Sequence, residues 1–287
     1  MSRRGVLRAG LAAMVSGAAA ACGRPDDDRD SAAPDMTRYE YGQDPSQFGQ
    51  LHLPGSGGPF PVIVVIHGGF WRSAYDLSLG TPLAEDLARR GYAAWNLEYR
   101  RVGNGGGWPA TFEDVGAGID LLADLAGGGS PLDLSRVAAL GHSAGGHLAV
   151  WAAARPGLPA DAPGSRPAVS LSGVLSQAGV LDLSRAADEQ LGGGATQELL
   201  GGGPDDVPER YAVASPVQRV PLGVPVVCVH GRGDRNVPPS QSESYVRAAT
   251  AAGDSAEMLD VDGDHFVVID VDTEAWTTIV GALPSLL

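Results

Sequence analysis

The sequence contains no lysine, and all 20 of its basic residues are arginine. Without a lysine amine, the chain can neither form a Schiff base nor supply the phosphate-binding lysine of the P-loop nucleotide hydrolases. Acidic residues number 34, which gives a net charge of -14 at pH 7. A charge of this sign repels nucleic-acid backbones. The composition therefore excludes lysine-dependent chemistry and argues against a nucleic-acid partner.

Cysteine is also scarce, since Cys22 and Cys228 are the only two. Cys228 lies in the apolar run VPVVCVH, so we expect it to be a buried core residue. If Cys22 is used in export, as discussed next, no intramolecular disulfide can form. At 287 residues and 44% hydrophobic content, the chain is long enough for one large core. We expect a single folded domain over residues 37–287.

Residues 1–21 have the layout of an export signal. Arg3, Arg4 and Arg8 precede an apolar stretch of small residues at 15–21, and no acid interrupts them. The apolar part is short for a bilayer core, which needs about 20 residues, so a spanning helix is the weaker alternative. The opening SRRGVLR resembles a twin-arginine signal. We therefore predict an exported protein, extracellular or anchored on the outer side of the membrane.

Cys22 ends a segment that resembles a lipoprotein cleavage box, AAAC. Such boxes usually carry Leu where this chain has Ala19, so simple secretion or an anchor without lipid stays open. Residues 22–36 are mostly polar and acidic, with Pro25 and Pro34 near the two ends. This composition predicts a flexible, solvated tether between the export signal and the domain.

The domain alternates predicted strands and helices. Residues 37–41 and Phe48–Leu53 alternate apolar and polar side chains around a turn, which indicates an antiparallel hairpin. Continuous apolar runs, typical of parallel strands covered on both faces, occupy 62–66, Ala93–Leu97, 137–140, 168–171 and 224–229. Helices are predicted at 82–90, 112–125, Ala144–Ala154, Ser240–Ala251 and 273–283. This order predicts an α/β fold with a mostly parallel, doubly wound sheet, whose reactive groups follow the strands.

Residues 184–220 interrupt this alternation of predicted strands and helices. They contain two GGG runs and several prolines, and their hydrophobic periodicity is weak. Long irregular segments of this kind are often functional. A lid and an ordinary surface insertion are both consistent with the pattern.

The sequence GHSAGG follows the apolar run 137–140 and precedes an alanine-rich helical segment. This is the strand–GxSxG–helix context of a nucleophile elbow, in which small residues let the backbone turn sharply and present the serine. Ser143 is therefore the candidate nucleophile. A serine hydroxyl needs a base to take its proton and a third group to orient that base.

Asp234 and His265 are the candidates for acid and base. Asp234 follows the apolar run 224–229, and His265 follows the predicted strand Ala256–Val261, in the chain order that this fold uses. His52 and His147 are expected to be structural or surface residues, and no other histidine lies downstream of the acid. Asp182 stays open as a rival acid, whereas Asp264 is disfavoured because neighbouring residues rarely reach each other in this geometry.

HGGFW, at residues 67–71, follows the first buried strand. Glycines there can turn backbone N–H groups towards a developing oxyanion, and Ala144 can supply a further N–H. A plain turn is the alternative for HGG alone. Trp71 and Trp108 are candidates for aromatic contact with a substrate, with buried packing as the alternative for each.

HGGFW, GHSAGGHLA and GDHFVVID together resemble the kynurenine formamidase-like and feruloyl-esterase-like branch of the α/β hydrolases. The resemblance covers nearly the whole domain and implies the α/β-hydrolase fold, with Ser143, Asp234 and His265 as the triad. It also implies that Gly68, Gly69, Phe70 and Ala144 form the oxyanion hole, and it implies no metal or organic cofactor.

Substrate choice is left open by this resemblance. Export favours a carboxylesterase for small esters over an arylformamidase, because tryptophan breakdown is intracellular. A binding protein that kept the fold and lost activity is the third hypothesis, although such proteins usually lack a member of the triad.

Overall fold

An eight-stranded sheet organises residues 35–287, the part of the chain that the computed structural model describes. The strands are β1 Asp35–Glu40, β2 Phe48–Leu53, β3 Phe60–Ile66, β4 Ala93–Leu97, β5 Leu132–His142, β6 Gly173–Gln177, β7 Val226–Gly231 and β8 Ala256–Val261. Their spatial order is β1-β2-β4-β3-β5-β6-β7-β8. β2 pairs antiparallel with both β1 and β4, and all the other neighbouring strands, from β4 and β3 to β8, pair parallel. The predicted α/β class, with its N-terminal hairpin, is confirmed.

β1 begins at Asp35, two residues inside the segment predicted to be a tether. Asp35 and Met36 are paired with Leu53 and His52, so the hairpin is longer than the alternation of residues 37–41 indicated. The export signal, Cys22 and the tether up to residue 34 lie outside the described residues.

Eight α-helices occur within the described residues. They are α1 Thr81–Arg89, α2 Ala110–Gly127, α3 Ala144–Ala154, α4 Leu183–Asp188, α5 Ala195–Leu200, α6 Pro208–Ala214, α7 Ser240–Ala251 and α8 Glu274–Ala282. In residues 35–287, no helix combines the length and the apolar character needed to cross a bilayer. The five helices predicted from the sequence correspond to α1, α2, α3, α7 and α8.

Two hydrophobic clusters cover the two faces of the sheet. Alternate β3 residues divide between them, with Val64 in one cluster and Val65 in the other. Helices α2, α3 and α7 contribute to the first cluster, and α1 and α8 to the second. Because both faces are covered, the inner strands are mostly apolar, and Asn96 in β4 and Ser176 and Gln177 in β6 are buried polar exceptions.

The prediction of a strand at 168–171 is wrong, since β6 begins at Gly173. The amides of Ala168 and Val169 donate instead to the carboxylate of Asp120, at 2.9 and 3.1 Å. The same carboxylate pairs with the buried guanidinium of Arg155 at 2.5 Å. Val169 is buried like a strand residue, but its backbone bonds to a side chain, which the hydrophobic pattern could not indicate.

Residues 184–220 hold most of α4 and the whole of α5 and α6. Glu198 of this segment accepts two hydrogen bonds from Arg72, the residue after the HGGFW loop, at 2.8 and 3.0 Å. The Leu199 carbonyl accepts one from the amide of Trp108. None of its residues lines the cavity at Ser143 described below. The segment is thus a packed insertion that contacts Arg72, next to the HGGFW loop, and does not reach the cavity.

Candidate active site

Ser143 lies at the sharp turn between β5 and α3, with φ 56° and ψ -118°. A non-glycine residue in this region is strained by about 1–3 kcal/mol, so surrounding contacts must hold it. Its amide donates to the Gln177 carbonyl at 2.8 Å. A Cβ on Gly145 would lie 2.6 Å from the carbonyl oxygen of His67, so this position requires glycine. The arrangement is that of a nucleophile elbow.

His265 and Asp234 form a close pair. Nδ1 of His265 lies 2.6 Å from Oδ2 of Asp234, and both side chains are buried. Oδ1 of Asp234 accepts from the amides of Asn236 and Val237 at 2.8 and 2.9 Å. Burial alone would raise the pKa of the Asp234 carboxyl, but its contacts with His230, His265 and the Val237 amide outweigh burial and lower it well below its usual range. Asp234 is therefore ionised beside the imidazole.

The loop that carries His265 is held by His142, the residue before Ser143. Nε2 of His142 lies 2.9 Å from the carbonyl oxygen of His265, and because that oxygen can only accept, Nε2 carries the proton. Burial lowers the pKa of His142 to about 3, so this ring is neutral at physiological pH. The elbow and the His265 loop are thus linked directly.

The two rival acids lie elsewhere. Asp182 caps α4 and accepts from the amide of Arg185 at 3.1 Å. Asp264 is exposed, and its carboxylate accepts from the amide of Phe266 at 2.9 Å. Of the aspartates considered, only Asp234 contacts the His265 ring.

The HGGFW loop passes directly beside the elbow. A Cβ on Gly68 would lie 3.1 Å from the Cβ of Ser143. The Gly68 carbonyl accepts from Nδ1 of His67 at 2.8 Å, and the Gly69 carbonyl accepts from the Arg72 amide at 3.0 Å. In a trans peptide unit the N–H points in the opposite direction to the C=O of that unit. The N–H groups of Gly69 and Phe70 therefore point away from the hydrogen bonds that the Gly68 and Gly69 carbonyls accept. Both Gly69 and Phe70 line the cavity at Ser143.

Ala144 is the first residue of α3 and is buried. The first N–H groups of a helix have no acceptor within it and carry a partial positive charge, so they can bind an anion. The Ala144 amide directly follows Ser143, and the HGGFW loop packs against the Ser143 Cβ. The oxyanion hole stays a prediction, since Gly69 and Phe70 line the cavity described below and Gly68 and Ala144 do not.

A buried carboxylate, which sequence reasoning missed, anchors the HGGFW loop. Oε1 of Glu98 lies 3.0 Å from Nε2 of His67 and 2.8 Å from the Arg101 guanidinium. Its other oxygen accepts from the amide of Leu77 at 2.9 Å. Burial acts to raise the pKa of Glu98, but the contacts with His67 and Arg101 outweigh it and lower the pKa. Because His67 and Leu77 are 31 and 21 residues away in the sequence, no local pattern marks this role of Glu98.

A small cavity of about 70 Å³ opens beside Ser143. It is lined mainly by apolar and aromatic side chains, with His265 and Ser143 on one wall. Tyr75 and Phe266, two of the few large apolar side chains that are exposed in residues 35–287, lie on its rim with exposed fractions of 49% and 54%. Sequence reasoning assigned neither residue a contact with substrate. Tyr75 lies in a loop without a motif, and Phe266, although part of GDHFVVID, drew no attention beside the candidate base His265.

The candidate substrate contacts Trp71 and Trp108 do not line this cavity. The Trp71 indole is 1% exposed and donates to Nδ1 of His147 at 3.1 Å, so its role is the buried packing that the sequence left open. Trp108 is half-buried and packs edge-on against Phe112. His147 itself is structural, since its Nε2 bonds to the Ala214 carbonyl.

Serine, imidazole, carboxylate and converging amides are the groups needed for nucleophilic attack on a carbonyl and for stabilising the resulting oxyanion. Within residues 35–287, no group of three or more His, Cys, Asp or Glu side chains is arranged to hold a metal ion.

Comparison with known proteins gives the family. The model of the BD-FAE family matches residues 50–248, which include Ser143 and Asp234 and end before His265. The chain belongs to the BD-FAE family. Its sheet and helices have the α/β-hydrolase fold, as solved relatives show.

Three relatives illustrate the range of this BD-FAE protein's similarity. Esterase LipC of Mycobacterium tuberculosis is 29% identical over 76% of this chain and 56% of LipC, so the chain spans about half the length of the curated relative. Esterase B of Lactobacillus rhamnosis has a TM-score of 0.76 and 23% identity over 89% of this chain and 86% of the other. The butyrate-bound Est2 of Thermogutta terrifontis has a TM-score of 0.70 and 21% identity over 89% and 93%.

The Glu98 network predicts a pH-dependent loss of stability in Glu98→Gln. A lowered pKa means that ionised Glu98 stabilises the fold above the ordinary carboxyl range, and that this contribution is lost as the pH falls. We expect Glu98→Gln to lower the free energy of unfolding at pH 7 by about 3–5 kcal/mol, because Arg101 is left buried and unpaired. The difference in free energy of unfolding between wild type and Glu98→Gln should narrow below about pH 4.5. Urea denaturation of both proteins at pH 7 and at a pH below about 4.5 measures this difference.

Glu85→Gln is the matched control, since Glu85 is exposed on α1. It should change the free energy of unfolding by less than about 0.5 kcal/mol at either pH. A Glu98→Gln protein as stable as wild type at pH 7 would contradict the anchoring role.

Proposed function

We propose that this BD-FAE protein is a serine carboxylesterase that cleaves small carboxylic esters through an acyl-enzyme on Ser143. One observation carries the proposal: Ser143 and His265 line the same cavity, and His265 is joined to Asp234 at 2.6 Å. This is the constellation that activates a serine for acyl transfer. The names of the relatives LipC and esterase B add support.

Acylation begins when Nε2 of His265 takes the proton from Ser143 Oγ as that oxygen attacks the ester carbonyl carbon. Asp234 accepts from Nδ1 and stabilises the imidazolium that forms. The carbonyl electrons move onto oxygen, and the amides of Gly69, Phe70 and Ala144 bind the negative charge. When the tetrahedral intermediate collapses, the C–O bond to the alcohol breaks and His265 returns the proton to the leaving oxygen.

Deacylation repeats these steps with water. His265 takes a proton from a water molecule, whose oxygen attacks the acyl carbon, and the amides again bind the oxyanion. Collapse breaks the bond to Ser143 Oγ, which recovers its proton from His265. The products are a carboxylic acid and the free enzyme.

The size of the cavity supports a small acyl group, since about 70 Å³ is well below the roughly 300–1,000 Å³ of sites for larger ligands. The butyrate bound to the related esterase Est2 is of the same class. The leaving alcohol would lie at the mouth, against the exposed rings of Tyr75 and Phe266. These rings also suit an aromatic formamide, the substrate of the kynurenine formamidase-like alternative.

A substrate panel separates these functions. We expect p-nitrophenyl acetate and butyrate to be hydrolysed with higher kcat/KM than p-nitrophenyl decanoate, because the longer acyl chain exceeds the cavity. N-formylkynurenine should be turned over more slowly than the short esters. Ser143→Ala should lower kcat/KM for every true substrate by about 10³-fold or more.

Faster turnover of N-formylkynurenine than of any ester would favour the arylformamidase. Ester turnover that persists in Ser143→Ala would contradict the proposed mechanism. No Ser143-dependent turnover of any compound would favour a binding protein with the same fold.

We also propose that the protein is exported and anchored through a lipid on Cys22. The arginines of residues 1–8, the apolar stretch 15–21 and the AAAC segment support this proposal. In bacterial cells, the wild-type protein should partition into the membrane fraction on the outer side, and Cys22→Ser should be released. A protein in the cytoplasm that keeps residues 1–21 would contradict export.

A further inference from the structure

His230 is a buried histidine that the steps above do not use. It lies in β7, four residues before Asp234, and its side chain has no exposed surface. Neither it nor its hydrogen-bond partner Ser242, which is buried in the first turn of α7, lines the cavity at Ser143. His230 therefore cannot contact a substrate there, yet it touches the acid of the triad.

The contacts of His230 fix the position of one proton. Nε2 lies 2.9 Å from the Val237 carbonyl oxygen and 3.2 Å from Oδ2 of Asp234. Both atoms are acceptors, so Nε2 carries a hydrogen, with the direct hydrogen bond to Val237 and a close contact to the carboxylate. Nδ1 pairs with the hydroxyl of Ser242 at 2.8 Å. Ser242 thus fixes the orientation of the His230 imidazole, so that Nε2 faces the loop that carries Asp234 and Val237.

These contacts surround the carboxylate of Asp234 with hydrogen-bond donors. Val237 donates its amide to Oδ1 of Asp234, while its carbonyl accepts from His230, whose Nε2–H also faces Oδ2. Oδ2 is consequently shared by two imidazole N–H groups, at 2.6 Å for His265 and 3.2 Å for His230. A buried carboxylate needs this degree of pairing, because each missing partner leaves charge without compensation.

We propose that His230 is a positioning residue for Asp234: its Nε2–H keeps Oδ2 aligned with His265 Nδ1 and shares the negative charge of the carboxylate. The inference rests on the proposed ester hydrolysis, in which the Asp234–His265 pair orients the base. Without His230, the carboxylate has lost one donor at Oδ2 and the loop has lost its bond at Val237. The base is then held less precisely, so the chemical step slows while substrate binding is unchanged.

Three variants of His230 separate positioning from packing. The amide nitrogen of Gln can occupy the place of Nε2 and donate to Val237 and Asp234, the amide of Asn reaches only the place of Nδ1, and Leu supplies no donor. We expect His230→Leu and His230→Asn to lower kcat for p-nitrophenyl acetate by about tenfold or more with KM within about twofold. His230→Gln should keep kcat within about threefold of wild type.

A readout without substrate keeps this test separate from that of the proposed function. The proton on the short His265–Asp234 bond should give a far-downfield proton resonance in wild type and His230→Gln, and the resonance should shift or broaden in His230→Leu. If wild type shows this behaviour but has no Ser143-dependent turnover, the proposed function fails and the positioning role stands. Turnover that His230→Leu leaves unchanged, with an unmoved resonance, overturns the positioning role alone.

Ser242→Ala covers the case in which His230→Leu or His230→Asn does not fold. It removes only the hydroxyl that orients the His230 imidazole, and we expect kcat to fall by about threefold or more with KM unchanged. Ser244→Ala, on the same helix but bonded only to the Gln241 carbonyl, is the matched control and should match wild type. Equal kinetics in the two serine variants, or a loss of kcat in all His230 variants with no change in the resonance, would reduce His230 to a packing residue and overturn the proposal.

Discussion

The strained backbone at Ser143 is the constraint on which the rest of the site depends. A residue with φ 56° at the end of a buried strand can exist only where neighbouring chain segments come very close, and here they do, because glycines lie on both sides of the turn. The same closeness brings the HGGFW loop against the elbow and presents the start of α3 to the cavity. The geometry that exposes the hydroxyl therefore also supplies the amides that would bind an oxyanion.

Two buried carboxylates hold the parts of the site that the elbow does not. Glu98 pairs with His67 and Arg101 and anchors the HGGFW loop on one side. Asp234 pairs with His265 and contacts His230 on the other. Each carboxylate is saturated with donors, so each keeps its charge despite burial, and each turns a loop into a rigid part of the site. The site is thus preorganised by charge pairing between residues in the loops that follow β3, β4, β7 and β8.

Much of the fold and the main site residues could be predicted from the sequence, because local signals mark them. Continuous apolar runs indicate parallel strands, and the small residues around Ser143 indicate the elbow. The strand predicted at 168–171 was wrong because Asp120, far away in the sequence, takes the backbone hydrogen bonds there. Glu98 was missed for the same reason, since His67 and Leu77 reach it only in the folded chain. The partners of His230, which are Asp234, Val237 and Ser242, lie closer in the sequence, but no motif indicates that their polar groups meet its imidazole. Trp71 had the right composition for substrate contact, but its indole is buried and bonded to His147. The assignment of residues 1–34 to export and tethering stays a prediction.

The central claim is that one serine, activated by the His265–Asp234 pair, carries the reactivity of this BD-FAE protein. Mass spectrometry after treatment with a fluorophosphonate tests it most directly, because such a reagent captures an activated serine and fragment ions then locate the adduct. The account predicts one adduct per chain, at Ser143, formed quickly in wild type and far more slowly in His265→Ala. An adduct at another residue, or folded wild-type protein that stays unlabelled, would contradict it.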